Sequence, residues 1–353
     1  MGSANRHRVH RSSATEKYHR LENFHFHPAL GLANPHLQTL WSPLLRRPPA
    51  LPRQRATLEL DDGDCVYLDW LPAAGTTAGT PLAVLLHGLA GCSGSPYIRG
   101  LQAALHRRGW ESVALNFRGS TGEPNRLARS YHSGDTGDLD ALVRSLRARW
   151  PARPLAAVGF SLGGNVLLKW LGERGEQAGL AAACAVSVPL RLDLCATRMD
   201  QGFSRRYRDH LLRRLKRQIE AKRRHFAAIG NRAELARLEA LAGWREARSF
   251  WEFDDRVVAP LHGFAGVDDY YARSSSRQFL AAVHVPTLLI QARDDPFLTP
   301  DVLPGPSELG PAVELLTTAA GGHVGFVEGT PWRPGYWLER VIPAFLVTRF
   351  GPC

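Results

Sequence analysis

From Leu82 onwards, short apolar runs alternate with helix-length amphipathic segments. This alternation is typical of β-α-β units, in which helices cover the faces of a mostly parallel sheet. Leu139, Leu142, Val143 and Leu146 recur at the spacing of one helix face and indicate a helix packed on such a sheet. The predicted strands are residues 82–86, 112–117, 155–160, 180–188, 287–292 and 313–317. We therefore predict an α/β fold with a mostly parallel central sheet flanked by helices.

The alternation is interrupted between residues 190 and 284, where an arginine-rich helical stretch is followed by an aromatic and acidic one. We predict that this segment is a helical cap, inserted into a core of residues 56–189 and 285–353. Two short apolar runs around the turn at residues 61–64 indicate a β-hairpin at the first edge of the sheet. Residues 24–55, rich in aromatics and proline, are predicted to be an arm without regular elements that lines the entrance. Residues 1–23 are predicted to be a basic, flexible tail.

The positive charge of the chain is concentrated in two segments. The 353 residues carry a formal net charge of +11, but residues 201–249 hold 14 Lys and Arg against 5 Asp and Glu. Residues 1–20 hold a further 5 against 1, so the rest of the chain has a slight negative excess. The high net charge therefore does not indicate a polyanionic partner for the core.

Within the insertion, apolar residues at four-residue spacing form one stripe of a basic amphipathic helix. They are Phe203, Tyr207, Leu211, Leu215 and Ile219, and the arginines between them occupy the other faces. Two interpretations stay open: a cap helix with a solvated outer face, or a surface for anionic lipid headgroups. No nucleic-acid-reading motif or set of stacking aromatics accompanies the helix, so we expect no nucleic-acid partner.

Several classes of protein are disfavoured by composition. The five cysteines include no C-x-x-C pair, which argues against a disulfide framework or a zinc site. His7, His10, His19, His25 and His27 have no carboxylate or cysteine at ligand spacing, so we expect neither metal nor cofactor. No apolar run is long enough for a membrane span, and the first residues lack a secretory signal. We expect a cytoplasmic protein, with peripheral contact at the inner membrane surface as an alternative; the oligomeric state stays open.

The stretch Gly159-Phe160-Ser161-Leu162-Gly163 follows a predicted strand and precedes a helical segment. That context favours a nucleophile elbow, in which a serine hydroxyl projects above the sheet and flanking glycines admit neighbouring backbone. The N–H of Leu162, at the helix start, is a candidate oxyanion donor. A second candidate is the N–H of Leu89, in the loop that follows an earlier strand.

A serine nucleophile needs a base held by an acid. His323 follows the strand at 313–317, and Asp294 and Asp295 follow the strand at 287–292. The chain order Ser161, Asp295, His323 is typical of α/β-hydrolases. The motif Asp-Pro-Phe favours Asp295 as the acid, whereas Asp294 is open to a turn or capping role. We predict ester hydrolysis through an acyl-enzyme, with an alcohol acceptor in place of water as an alternative.

Seven stretches of the sequence resemble the YheT-like branch of the α/β-hydrolases, which includes mammalian ABHD1- and ABHD3-type proteins. They are residues 34–39, 87–101, 116–139, 159–173, 253–271, 292–300 and 321–329, and the similarity extends over about residues 24–345. The resemblance implies a serine esterase with Ser161, Asp295 and His323 at the charge-relay positions. It implies no single substrate, because relatives act on short-chain carboxylesters, acylglycerols or phospholipids. The pair Ser120-Thr121 stands where this family more often has Cys-Ser.

Overall fold

The computed structural model describes residues 24–350. Its centre is an eight-stranded sheet in the order β1-β2-β4-β3-β5-β6-β7-β8. The strands are β1 (Gln54–Glu59), β2 (Cys65–Leu71), β3 (Leu82–Leu86), β4 (Glu111–Asn116), β5 (Leu155–Phe160), β6 (Ala182–Val186), β7 (Thr287–Ala292) and β8 (Val313–Thr318). The first two strands pair antiparallel, β2 pairs antiparallel with β4, and the remaining neighbours are parallel. The predicted mostly parallel sheet is confirmed, and the hairpin β1-β2 forms its first edge.

Helices cover both faces of the sheet because alternate strand residues point to opposite sides. Helices α2 (Pro96–His106) and α11 (Leu338–Phe350) bury Ile98 and Ile342 against one face. Helices α3 (Gly137–Arg149) and α4 (Leu162–Arg174) pack on the other face. The predicted stripe from Leu139 to Leu146 is buried there.

Between β6 and β7 the chain forms a group of helices. They are α5 (Leu192–Met199), α6 (Ser204–Ala228), α7 (Arg232–Glu239), α8 (Phe250–Phe253), α9 (Ala259–His262) and α10 (Val267–Ser274), with a π turn at Asp254–Val258 between α8 and α9. Their shared core includes Phe226, Trp244 and Tyr270. The predicted apolar stripe of α6 is partly wrong, because Phe203 is 49% exposed while Lys222 is buried.

Lys222 fastens this group of helices to the core. Its ammonium group donates to three successive carbonyl oxygens, those of Leu127, Ala128 and Arg129, at 2.9, 3.0 and 2.7 Å. It also lies 3.0 Å from the Ser130 hydroxyl. A buried lysine is stable only when its donors are paired, so the loop at 127–130 and helix α6 are fixed to each other.

The prediction that the N-terminal arm lacks regular elements was wrong, because Pro35–Leu45 forms helix α1. The Asn34 side chain accepts from the N–H groups of His36 and Leu37 and caps the first turn. The helix buries polar residues, including Gln38 and Thr39, and exposes Leu37, Leu44 and Leu45. Because the buried face is polar and the exposed face is apolar, hydrophobic periodicity does not predict this helix.

A second sheet lies near α1 as the hairpin of β9 (Val327–Thr330) and β10 (Arg333–Tyr336). The arm joins it through hydrogen bonds from the N–H groups of Ala29 and Leu30 to Val327 and Gly329. Among residues 24–350, no helix is both long and apolar enough to cross a membrane. The predicted flexible tail, with His7, His10 and His19, lies outside the described residues.

Candidate active site

Ser161 lies at the sharp turn between β5 and α4. Its backbone has φ 52° and ψ −121°, a conformation that side-chain-bearing residues adopt only under strain. Glycines make the turn possible, since a side chain at Gly163 would come within 2.5 Å of the His87 carbonyl oxygen. A side chain at Gly159 would meet the Gly163 carbonyl oxygen at 2.4 Å. The strand-turn-helix arrangement matches the one predicted from the sequence.

The structure brings Ser161, His323 and Asp295 into one hydrogen-bonded chain. The Ser161 hydroxyl lies 2.9 Å from His323 Nε2, and His323 Nδ1 lies 2.8 Å from Asp295 Oδ2. With the proton on Nδ1 directed to the carboxylate, Nε2 is free to accept the serine proton. Three distant stretches of sequence therefore meet in the geometry that nucleophilic catalysis needs.

Asp295 is suited to hold the imidazole because its carboxylate is buried and fully engaged. Its Oδ1 accepts the N–H of Phe297 at 2.8 Å, and its side chain has no exposed surface. The Phe297 ring stacks on the His323 imidazole, with ring centroids 4.0 Å apart and planes 9° apart. The Asp-Pro-Phe motif thus supplies both a fixed acceptor and a flat surface for the histidine.

The loop that carries His323 is held by two side chains whose contact with it no local sequence pattern predicts. The Thr39 hydroxyl accepts the N–H of His323 at 2.9 Å, and Asp294 Oδ1 accepts the N–H of Gly322 at 2.9 Å. Gln38 pairs with both backbone groups of Val327 at the loop's end. The family motif at residues 34–39 indicates that this segment matters, but it does not predict the contacts of Thr39 with His323 or of Gln38 with Val327.

The prediction that the arm lines the entrance was wrong for the described residues. Within residues 24–350, the residues that line the cavity above Ser161 include none from the arm. Helix α1 instead packs behind the His323 loop, where a side chain at Gly322 would meet the Pro35 carbonyl oxygen at 2.5 Å. The arm therefore supports the loop from outside the cavity.

The two predicted oxyanion donors lie on segments in close contact. Gly88 is so near Ser161 that a side chain on it would come within 3.1 Å of Ser161 Cβ. The N–H groups of Gly88 and Ala90 both donate to tyrosine hydroxyls, those of Tyr97 and Tyr131, at 2.9 Å each. Between them, Leu89 N–H has no hydrogen-bond partner in the described part of the chain.

Leu162 is the other predicted donor, and it occupies the first position of α4. The first N–H groups of a helix have no partner within the helix and carry partial positive charge. Both predicted N–H groups are thus available to an anionic oxygen beside Ser161. Their role as an oxyanion hole stays a prediction.

His87 is a structural residue, although it begins the motif that contains Leu89. Burial lowers the pKa of His87 to about 4, so the ring is neutral. Its Nδ1 donates to the Gly88 carbonyl oxygen, and its Nε2 accepts the N–H of Phe117. Ser120, where the resemblance leads us to expect Cys more often, lies 3.2 Å from the same Nε2.

Above Ser161 lies a cavity that encloses about 1160 Å³, its open mouth included. Most of its lining is apolar and comes from the inserted helices, among them Leu211, Leu215, Ile219 and Val257. Besides Ser161 and His323, one carboxylate and two imidazoles line it: Asp254, His132 and His262. No local pattern marks these three residues, because the stretches at 116–139 and 253–271 are distinctive only by their family resemblance.

One group of three side chains in residues 24–350, His132, Asp135 and His262, has ligand atoms within 4.8 Å of one another. Asp135 is already paired with Arg129 at 2.9 Å. Burial, with the nearby Arg129 guanidinium, lowers the pKa of each histidine to about 3. A cation would have to compete with that arginine, so these residues do not resemble a metal centre.

His25 and His27 stack on each other, with ring centroids 6.5 Å apart.

Comparison with known proteins places this geometry in a family. The α/β hydrolase fold family matches residues 81–330. The candidate esterase YheT of Escherichia coli (strain K12) is 42% identical over 323 residues, covering 92% of this chain and 93% of YheT. Mouse phospholipase ABHD3 is 31% identical over 315 residues, which cover 88% of this chain and 75% of ABHD3. The esterase Pf2001 of Pyrococcus furiosus, at 17% identity, covers 92% of this chain and 96% of its own, with a TM-score of 0.51. The chain therefore belongs to the α/β hydrolase fold family and to its YheT-like branch.

Proposed function

We propose that this protein is a serine hydrolase that cleaves carboxylic esters through an acyl-enzyme intermediate. The observation that carries the proposal is the hydrogen-bonded chain from Ser161 through His323 to Asp295 at the base of an apolar cavity. A base hydrogen-bonded to the nucleophile and oriented by an acid is the minimum that serine catalysis needs. The family to which the chain belongs, and the esterase names of YheT and Pf2001, support this assignment.

In the acylation half-reaction, Ser161 Oγ attacks the ester carbonyl carbon while His323 Nε2 takes the serine proton. The carbonyl oxygen becomes negative, and the N–H groups of Leu89 and Leu162 donate to it. His323 then passes its proton to the departing alcohol oxygen as the bond from carbon to that oxygen breaks. Asp295 keeps the imidazole oriented and stabilises its charged form.

In the deacylation half-reaction, water takes the place of the alcohol. His323 removes a proton from the water as its oxygen attacks the acyl carbon. The second tetrahedral intermediate collapses, the bond to Ser161 Oγ breaks, and His323 returns the proton to the serine. The products are a carboxylic acid and an alcohol, and no cofactor takes part in either half-reaction.

The cavity lining supports a short or medium acyl chain, or an acylglycerol, as the substrate class. Leu211, Leu215, Ile219 and Val257 offer a surface on which an alkyl chain removes apolar area from water. We infer that this burial, rather than charge, provides most of the binding energy for the chain.

A series of p-nitrophenyl esters of increasing acyl length tests the proposal. We expect turnover that disappears in Ser161→Ala, together with covalent labelling of Ser161 by a fluorophosphonate. Absence of serine-dependent turnover at every length, with no labelling, would refute ester hydrolysis. Adding alcohols and analysing the products separates transfer to water from transfer to an alcohol.

A second candidate is phospholipid hydrolysis at an anionic membrane surface. Arg213, Arg214 and Arg217 of α6 are exposed and have no carboxylate partner in the described residues. The same helix contributes Leu211 and Leu215 to the cavity, so its basic face adjoins the binding site. Such a face attracts anionic headgroups. The phospholipase name of ABHD3 favours the same candidate.

A further inference from the structure

One wall of the cavity carries hydrogen-bonding groups that the proposed reaction does not use. Asp254 comes from the π turn, His262 from the end of α9, and His132 from the loop after Tyr131. Turns of π helix interrupt regular hydrogen bonding and are frequent at functional sites. The lining contributed by α5 and α6, including Leu192, Met199 and Leu211, is largely apolar.

These polar groups form one continuous wall through ring contacts. The His262 and His132 rings lie 4.5 Å apart, and the His132 ring lies 5.5 Å from Tyr270. Tyr270 lies 5.2 Å from Tyr271, whose hydroxyl donates to Asp254 Oδ2 at 2.8 Å. The wall is therefore a connected surface rather than three isolated side chains.

Each group has hydrogen-bonding capacity left over in the described part of the chain. His132 Nδ1 accepts the N–H of Gly134, so its proton is on Nε2 and can be donated. His262 makes ring contacts but no hydrogen bond, and Asp254 Oδ1 has no donor. Unpaired polar groups in an apolar enclosure reduce stability unless a partner satisfies them.

The charges around the wall favour an uncharged partner. A cation would meet Arg129 and Lys222. Burial lowers the pKa of His262 to about 3, with smaller contributions from His132, Arg129 and Lys222. An anion would meet Asp135, close to both histidines, and Asp254. Burial raises the pKa of Asp254 to about 7, so in mildly acid solution the wall is neutral and offers both donors and acceptors. A hydroxyl group, which both donates and accepts, satisfies such a wall.

We propose that His132, His262 and Asp254 form a subsite for an uncharged hydroxyl group of the ester substrate, separated from the reacting carbonyl by an alkyl segment. This inference rests on the proposed ester hydrolysis and specifies its substrate class. The apolar lining binds the alkyl segment, and the polar wall selects a chain that carries the hydroxyl. A site built to pair a substrate hydroxyl discriminates strongly against the analogue that lacks it.

The test measures a selectivity ratio, the kcat/KM for a hydroxylated ester divided by that for its plain counterpart. One arm places the hydroxyl on the acyl chain, comparing p-nitrophenyl hydroxyhexanoate positional isomers with p-nitrophenyl hexanoate. The other places it on the alcohol, comparing hydroxybutyl with butyl hexanoate. We expect a ratio of about threefold to tenfold per hydrogen bond in one arm.

The same selectivity ratio is then measured for variants of the wall. A loss of activity that affects both esters equally leaves the ratio unchanged. In Asp254→Leu and His262→Phe the ratio falls towards one, and Asp254→Asn, which keeps polar atoms there, retains part of it. The matched control His284→Phe changes an exposed histidine outside the cavity and keeps the wild-type ratio. Thermal melting of each variant checks that it is folded.

Failure of the subsite and failure of the proposed function give different results. A wild-type ratio at or below one in both arms, with serine-dependent hydrolysis of the plain esters, overturns the subsite and leaves ester hydrolysis standing. A high ratio that neither Asp254→Leu nor His262→Phe reduces also overturns it. No serine-dependent hydrolysis of any ester overturns both.

Discussion

The peptide nitrogen of His323 donates to the hydroxyl of Thr39 across 2.9 Å, although 284 positions separate the two residues. Thr39 is itself fixed, because its hydroxyl donates to the Pro35 carbonyl oxygen at 2.7 Å. Helix α1 is thereby joined to the loop that carries His323. The helix lies outside the described cavity lining and contributes to the site by positioning His323.

Thr39→Val removes this acceptor at nearly constant volume. Leaving the partly buried N–H of His323 without a partner costs about 1–3 kcal/mol, which favours a shifted position of the loop. Because the shift misplaces His323, we expect kcat to fall about tenfold. KM for a small ester stays near the wild-type value, because Thr39 does not line the cavity. Thr39→Ser, which keeps the hydroxyl, restores most of kcat. An equal loss in Thr39→Ser would contradict the positioning role.

Asp295→Asn tests which aspartate is the acid. An amide can donate to His323 Nδ1 and so favours the tautomer that cannot accept the serine proton; we expect kcat to fall by about 10⁴-fold. Asp294→Asn is the matched control, because its amide oxygen still accepts the N–H of Gly322. Steady-state kinetics on one soluble ester compare the two. A larger loss in Asp294→Asn would reverse the assignment.

Ser161→Gly and Ser161→Ala both remove the proposed nucleophile but differ in backbone strain. The φ of 52° suits glycine and strains alanine, whereas glycine loses more entropy on folding. We expect Ser161→Gly to be the more stable by about 1 kcal/mol, since strain of about 1–3 kcal/mol exceeds the entropy term. Urea unfolding of both inactive variants measures the difference. Equal or reversed stabilities would argue against a strained elbow.

Asp254 makes stability depend on pH in a defined direction. Burial raises the pKa of Asp254 in the folded protein to about 7, above the ordinary 3.8. Because the folded state then binds this proton more tightly than the unfolded state, the stabilisation it gives the folded state is present below about pH 4 and is lost as pH rises towards 7. Asp254→Asn is uncharged throughout. The stability of wild type relative to this variant should therefore fall by at most about 1.4 kcal/mol per pH unit across that window. Denaturant titrations at several pH values test this expectation. A difference in stability between the two proteins that does not change with pH would contradict the raised pKa of Asp254.

Three exposed arginines of α6 should govern any attraction to anionic lipid. Replacing Arg213, Arg214 and Arg217 by glutamine should weaken binding to phosphatidylserine vesicles by up to about 100-fold at low salt, at about 1 kcal/mol per charge. Turnover of soluble esters should persist. Lys216 does not belong in this set, although the sequence places it beside them, because it donates to the carbonyl oxygens of Arg245 and Ala247.

A control with the same change in charge replaces Arg208, Arg223 and Arg245, each of which is paired with a carboxylate. Co-sedimentation with charged and neutral vesicles measures both sets. Equal loss in the two sets would show a general charge effect and no binding face on α6.

Most strands could be predicted because buried strands consist of short apolar runs. Strands β3, β5 and β7 have the expected bounds, whereas β6 is shorter than the predicted 180–188. Helix α1 could not be found in this way. It buries Gln38 against the backbone of Val327, a contact that exists only after distant segments meet.

The sequence by itself determined the α/β fold and named Ser161, Asp295 and His323 as candidates, because the turn glycines, the strand endings and the chain order are local features. Only the tertiary structure decided which groups surround them. Thr39 behind His323, the bonds from Lys222 of α6 to the loop at 127–130, and the wall of Asp254, His132 and His262 depend on contacts between residues far apart in the chain. Local pattern records which side chains an element buries, but hydrogen bonding and burial in a cavity depend on the partner that folding brings to each side chain.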